Sequence, residues 1–225
     1  MAIIDLAVEV QDNTTDSTAT VPSDGFMISG VFGVQQGSDY GGIAQIYRTV
    51  NGHTYSLFYY HSSSGNKDGE PIPVNGLLLK AGDVLRADCE STLSTPYAYM
   101  FVSYDDEYEL NNISEAEVEV YDSPSTSSEI TIDHDTTFYG GFACLTAGST
   151  PASYYVTFYI KRTINGRSRN LVYKINNTSS GEQIYSLNEY KGLRLKAGDV
   201  LGVYCASNGG TPRAYAHVLF DDNFE

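Results

Sequence analysis

Residues 76–89 read GLLLKAGDVLRADC, and residues 192–205 read GLRLKAGDVLGVYC, 116 positions later. The doubling runs through the chain. VEVQD (8–12) matches VEVYD (118–122) at an offset of 110, and RTVNG (48–52) matches RTING (162–166) at 114. TPYAYMFVSYDD (95–106) matches TPRAYAHVLFDD (211–222) at 116. At the first of these offsets Gly30 and Phe32 meet Gly140 and Phe142, and Cys144 meets Val34. A unit of roughly 110 residues suits one β-sandwich and is too long for a solenoid repeat. Two domains are therefore expected, residues 1–112 and 113–225, as products of an internal duplication.

Inside each unit the apolar period is two, the mark of half-buried strands. YYVTFYIKRTI (154–164) places Tyr154, Val156, Phe158, Ile160 and Ile164 on one face. Asn51-Gly52 and Asn165-Gly166 each separate two such runs, a signal for type I′ hairpins. Leu77 and Leu79 are repeated as Leu193 and Leu195, whereas Leu78 becomes Arg194, so that side is expected to be wet. After the AGD turns, Leu85, Ala87 and Cys89, or Leu201, Val203 and Cys205, point inward. The closing strands direct Ala98, Met100, Val102 and Tyr104, or Ala214, Ala216, Val218 and Phe220, to the core. The fold class is all-β, two tandem antiparallel β-sandwich (jelly-roll) domains.

LLLKAGDVL and LRLKAGDVL, together with AYMFVSY and AYAHVLF, resemble the jelly-roll modules of the C1q and tumour-necrosis-factor type. There a leucine-rich Gly-Asp turn precedes a long strand, and an aromatic-rich strand closes the domain. The resemblance covers about the last 35 residues of each repeat. Modules of this sort recur in bacteriophage virions as head-decoration (cement) proteins and as fibre tips.

Composition narrows the partners. The 13 basic and 28 acidic residues give a net charge of −15, which repels phosphate backbones; neither nucleic acid nor an anionic membrane is expected as a partner. The opening MAIIDLAVEVQD lacks a basic segment, so no secretory signal is expected and synthesis is placed in the host cytoplasm. The sequons at Asn13, Asn112, Asn176 and Asn177 are then accidents of a Ser/Thr-rich chain.

Three cysteines cannot all pair within one chain, and Cys89, Cys144 and Cys205 read as buried small hydrophobes. Paired zinc-ligand spacings are absent, and His53, His61, His134 and His217 are scattered. No hydrolase, metalloprotease or phosphate-loop motif occurs. No catalytic residues, metal or cofactor are expected, and the protein is read as non-enzymatic. Asp105-Asp106 and Asp221-Asp222 recur at the ends of the closing strands. They read as solvated strand ends, with calcium ligation as the sharper alternative.

Two features point to partners. The outward residues of the closing strands, Tyr97, Tyr99 and Phe101 in the first repeat and Tyr215, His217 and Leu219 in the second, need a covering surface. In the resembled families such aromatics pack about a threefold axis, which implies a homotrimer; coverage by the sibling domain is the competing reading. The second feature is charge asymmetry. Residues 1–112 hold 4 basic and 15 acidic side chains, against 9 and 13 in 113–225. Much of the excess lies in the hairpin YIKRTINGRSR (159–169), where Lys161, Arg162, Arg167 and Arg169 suit an acidic partner, although Arg162 has a counterpart in Arg48.

The leading expectation is a structural virion protein, a decoration or cement protein bound to the major capsid protein or another virion protein. The alternative is the glycan-recognising tip of a tail or head fibre, kept open by Tyr-rich loops such as YYHSSSG (59–65). A bacterial surface or spore-coat jelly roll is a third reading.

Overall fold

Strict alternation of apolar and polar residues lets a strand bury one face only, so sheets with this pattern must pack in pairs. The computed structural model has that architecture. It describes residues 2–11, 16–35, 42–61, 67–72, 77–89, 97–107, 112–121, 125–147, 155–176, 181–206 and 212–223. Tyr154, the SSSG end (62–65) of YYHSSSG and the sequons at Asn13 and Asn177 lie outside these residues. The chain separates into two compact units, Met1–Glu109 and Leu110–Glu225, the boundary falling three residues before the expected join.

In the first unit one sheet has the order β1 (Ile3–Gln11), β9 (Tyr97–Asp105), β3 (Gly25–Gln35), β6 (Lys67–Pro71), with the short β7 (Leu78–Leu79) also on β3. The other runs β2 (Ser17–Thr20), β8 (Val84–Cys89), β4 (Gly42–Val50), β5 (His53–His61). In the second unit the first sheet runs β10 (Ile113–Tyr121), β18 (Arg213–Asp221), β12 (Thr136–Ala147), β15 (Gly181–Ser186), with β16 (Arg194–Leu195) on β12. Its partner runs β11 (Ser125–Thr131), β17 (Val200–Ala206), β13 (Tyr155–Ile164), β14 (Arg167–Asn176). Among the described residues every pairing is antiparallel. Among the described residues the only helical element is a single 3-10 turn, Asn188–Tyr190.

The two units share strand order and two register shifts, Met27/Ser29 with Phe138/Gly140 and Ile46/Tyr47 with Ile160/Lys161. Both hairpins turn through Asn-Gly with positive φ at each residue: 50° and 82° at Asn51 and Gly52, 52° and 73° at Asn165 and Gly166. That is the type I′ geometry the dipeptides predict. The core residues expected on the closing strands and after the AGD turns are all buried. Each such fully buried Leu, Val or Phe contributes about 1.5–3 kcal/mol.

Three expectations need correction. Leu78 is 3 % exposed, so its side of the turn is dry in the first unit although Arg194 is exposed in the second. Ile164 is 53 % exposed, because it stands at the hairpin end, beyond the reach of the opposite sheet. The third concerns alignment. Val102 faces Gly30 and Val218 faces Gly141, which sets the offset between β3 and β12 at 111. The offset of 110 holds only for the first strands, and one extra residue enters before β11. Since the side-chain period is two, a slip of one exchanges faces. Cys144 therefore corresponds to Gly33 and Phe142 to Val31, while the core partners are Val34 with Leu145 and Phe32 with Ala143.

Candidate functional site

The repeated motif is a clamp. Gly82 and Gly198 have φ of 95° and 92°, which a side chain would strain, so glycine is required in each AGD turn. The following aspartate folds back on the turn, where Asp83 Oδ2 accepts the Lys80 N–H and Asp199 Oδ2 the Lys196 N–H, both at 2.9 Å. The same carboxylates receive an arginine fork from the hairpin strand. Arg48 donates through Nε and Nη2 to Asp83 at 2.9 Å each, and Arg162 to Asp199 at 2.8 and 2.7 Å. Each guanidinium also donates to a turn carbonyl, Leu78 O at 2.9 Å or Arg194 O at 3.0 Å. Asp24 and Asp135 hold the turns from outside through the Ala81 and Ala197 N–H groups. The residues shared by the two motifs thus form a bidentate pair that ties hairpin to turn, buried in the first unit and partly solvated at the arginine in the second.

This places Arg162 in the frame, a correction to its expected partner role. Asp199 holds its guanidinium, and the hydrogen bond raises its pKa further. Lys161 is engaged as well. It donates to Glu129 at 2.7 Å and lies 5.1 Å from the centre of the Tyr159 ring. The Lys161 hydrogen bond, then that from Tyr159, depresses the Glu129 carboxyl. Arg167 and Arg169 stand exposed at the tip, beside Ile164 and Asn165, and Arg169 donates to the Ser168 carbonyl at 3.1 Å. The cationic hairpin therefore reduces to these two guanidinium groups.

The repeated acidic pairs close the strand ends. Asp105 and Asp221 each accept the N–H two residues ahead, at 3.1 and 3.0 Å. Asp106 accepts from Ser23 at 3.3 Å. Asp222 accepts from Thr136 at 2.8 Å, Ser114 at 3.2 Å and His134 Nε2 at 2.9 Å, while His134 Nδ1 lies 2.5 Å from Asp133. The two carboxylates, Asp222 first, raise the His134 pKa. Burial opposes but does not cancel the fall at Asp222, which His134 and the two hydroxyls produce.

The outward faces of the closing strands differ. In the first unit Tyr97 and Tyr99 stack at 6.0 Å, and Tyr99 and Phe101 meet at 5.4 Å. Tyr99 lies across Gly33, where a Cβ would come within 2.3 Å of the ring, and its hydroxyl accepts the Gly69 N–H. Phe101 stays 47 % exposed, with Val31 beside it at 38 %. In the second unit Tyr215, His217 and Leu219 are at most 1 % exposed, with Phe142 against the first two. The accessible part of the expected oligomer surface is therefore the Tyr97, Tyr99, Phe101 ladder alone.

Burial accounts for the cysteines, all three free. It pushes the Cys205 thiol up to about 12, and Cys144 donates to Glu182 at 2.7 Å. Sequence reasoning missed an aromatic face on the second sheet of the second unit. Tyr159 and Tyr173 are cross-strand partners, Tyr155 packs edge-on against Tyr204, and Tyr155 and Tyr173 are 44 % and 45 % exposed. The signal was present in YIKRTINGRSRNLVY, but only the hairpin register assigns Tyr173 to the outer side.

Among the described residues no helix is long and apolar enough to cross a membrane. The sequence matches no family model, and no curated protein matches it. Solved structures do show a likeness. A chain from the atomic structure of Sulfolobus turreted icosahedral virus shares 8 % identity, with 99 % of this chain and 91 % of that one covered and a TM-score of 0.37. The major capsid protein P2 of bacteriophage PM2 shares 9 % identity over 96 % and 97 % of the two chains, at 0.37. PNGase F, a glycosylasparaginase from Flavobacterium meningosepticum, shares 11 % over 100 % and 97 %, at 0.38. Likenesses at these scores bear on neither function nor mechanism.

Proposed function

We propose that the chain, two sandwiches derived by duplication of one, is a non-enzymatic structural component of a virus particle, a decoration or cement protein. The observation that carries the reading is the outward ladder of half-buried Tyr97 and Tyr99 with exposed Phe101, and exposed Val31 beside it, on the outside of a finished sandwich. Such a patch needs a cover, and a homotrimer closed through this face supplies one. The repeated polar residues favour a scaffold, since Arg48, Asp83, Arg162, Asp199, Asp24 and Asp135 are all held in the frame. Arg167 and Arg169 would meet an acidic capsid surface. The test is to mix purified protein with particles stripped of decoration and locate it by negative stain with a labelled antibody. Ordered binding on the shell supports the reading; labelling at fibre tips, or none, overturns it.

The exposed Tyr155 and Tyr173 favour one alternative, recognition of a host-surface glycan at a fibre tip, because aromatic faces stack on sugar rings. Binding on a glycan array that disappears in Tyr155→Ala and Tyr173→Ala would support it.

A further inference from the structure

We propose that Glu115, Glu117 and His217 bind one divalent transition-metal ion of the Zn2+ class. The three lie far apart in sequence, and the register of β10 on β18 brings them together: Glu117 is opposite His217, and Glu115 is two residues along the same face. His217 Nε2 lies 2.8 Å from Glu115 Oε2 and 3.9 Å from Glu117 Oε1, and the ligand atoms are all within 4.8 Å of one another. Ligands about 2.1 Å from a tetrahedral zinc stand about 3.4 Å apart, so small side-chain rotations complete the geometry.

The histidine is built in. Its side chain is 1 % exposed and its ring packs edge-on against Phe142 at 5.9 Å, which fixes the direction of Nε2. The carboxylates remain exposed, so an ion can enter. Two glutamates two residues apart on one strand face repel each other in a chain of charge −15, and a divalent cation neutralises both. One imidazole with two carboxylates suits Zn2+ better than Ca2+, which takes oxygen ligands, and leaves a fourth position for water. On binding, Nε2 loses the proton it shares with Glu115, to Nδ1 if the ring is neutral or to solvent if it is an imidazolium; its lone pair then goes to the metal, and the hydrogen bond is exchanged for coordination. Because β10 is an edge strand, the ion would pin it to β18.

The first unit supplies a control. At the same register it has Ala7 opposite Phe101, and Asp5 opposite Ser103. The sandwich therefore needs no ligands at these positions. This inference does not depend on the virion reading.

The test is calorimetric titration of the chelator-treated full chain with Zn2+, with Mn2+ and Ca2+ as comparison probes. One Zn2+ should bind per chain, more tightly than Ca2+. Glu117→Ala and His217→Phe, each the residue of the first unit, should weaken binding at least tenfold. Zn2+ should raise the melting temperature of the wild type but not of either variant. The proposal is overturned if the wild type shows no saturable Zn2+ site, or if both variants bind unchanged. It is equally overturned if binding is lost instead on His134→Ser, which would put the ion at the His134–Asp222 group. Should His217→Phe fail to fold, Glu117→Ala decides alone, since that side chain is exposed.

Discussion

The two sandwiches share a frame and differ in what they cover. Arg48–Asp83 and Arg162–Asp199 make the same fork, yet the first arginine side chain is 5 % exposed and the second 24 %. The outward face of the closing strand is reversed in the other sense: Phe101 is half exposed, and its counterpart His217 is buried. A residue's place in the repeat therefore fixes its backbone role and not its surroundings. The shared residues hold the sandwich, and the residues that differ decide which face of each unit stays open.

Large effects should come from exchanging these faces. Leu219→Ala removes a fully buried side chain and should cost about 2–5 kcal/mol, seen as an earlier transition in chemical denaturation. Phe101→Ala should cost less than about 1 kcal/mol to the isolated chain, because half of that ring is already in water. Joint replacement Tyr99→Asp and Phe101→Asp should instead convert trimers to monomers in sedimentation. A wild type that already sediments as a monomer, with no partner on this face, would end the trimer idea.

The clamps should separate next. Arg48→Ala leaves the buried Asp83 carboxylate without its counter-ion, held only by the Lys80 N–H, at a cost of about 3–5 kcal/mol. Arg162→Ala acts on a partly solvated fork and should cost about 1–3 kcal/mol, with Asp199 still held by the Lys196 N–H. Equal losses would mean that exposure of the arginine does not set the strength of the fork.

A smaller difference should appear with pH. The His134–Asp222 contact belongs to the second unit; in the first, Ser23 stands in the place of His134 and donates to Asp106. The folded pKa of His134 is raised, so its contribution is full below the unfolded value of about 6.5 and is lost as pH rises through the folded value. That of Asp222 is lowered, so its share is present above the unfolded value of about 3.9 and is lost as pH falls through the folded one. The pair is thus at full strength between about 3.9 and about 6.5, and its loss on the alkaline side runs over the window from about 6.5 up to the raised histidine value. His134→Ser should flatten the melting temperature across that window, and an unchanged pH profile would show that solvent screens the pair.

Much of the frame was legible in the sequence because short-range rules govern it. Asn-Gly hairpins, period-two strands and the glycine of the AGD turn need only neighbours a few residues away. What escaped depends on register between distant strands. One residue added before β11 moved Cys144 and Phe142 to the outer face. The meeting of Glu115, Glu117 and His217 needed the β10–β18 pairing. Repetition was informative about the clamp and silent about partners, because Arg162 belongs to the frame and only Arg167 and Arg169 remain at the tip.

The smallest expected effect concerns that tip. Tyr55, at the position of Arg169, is buried in the first unit, so the second hairpin alone presents cations to solvent. If the second unit docks on an acidic shell, these charges act while the surfaces approach and contribute modestly to the final contact. Arg167→Gln with Arg169→Gln should slow association with stripped particles several-fold at low salt and leave dissociation nearly unchanged, as read by light scattering or surface-based kinetics. The difference should shrink as the Debye length falls to about 8 Å at physiological ionic strength. Arg162→Gln must be judged by stability as well, since it loosens the clamp. If the double variant associates as fast as wild type at every salt concentration, the hairpin is a solvated tip and docking belongs to the aromatic face of the first unit.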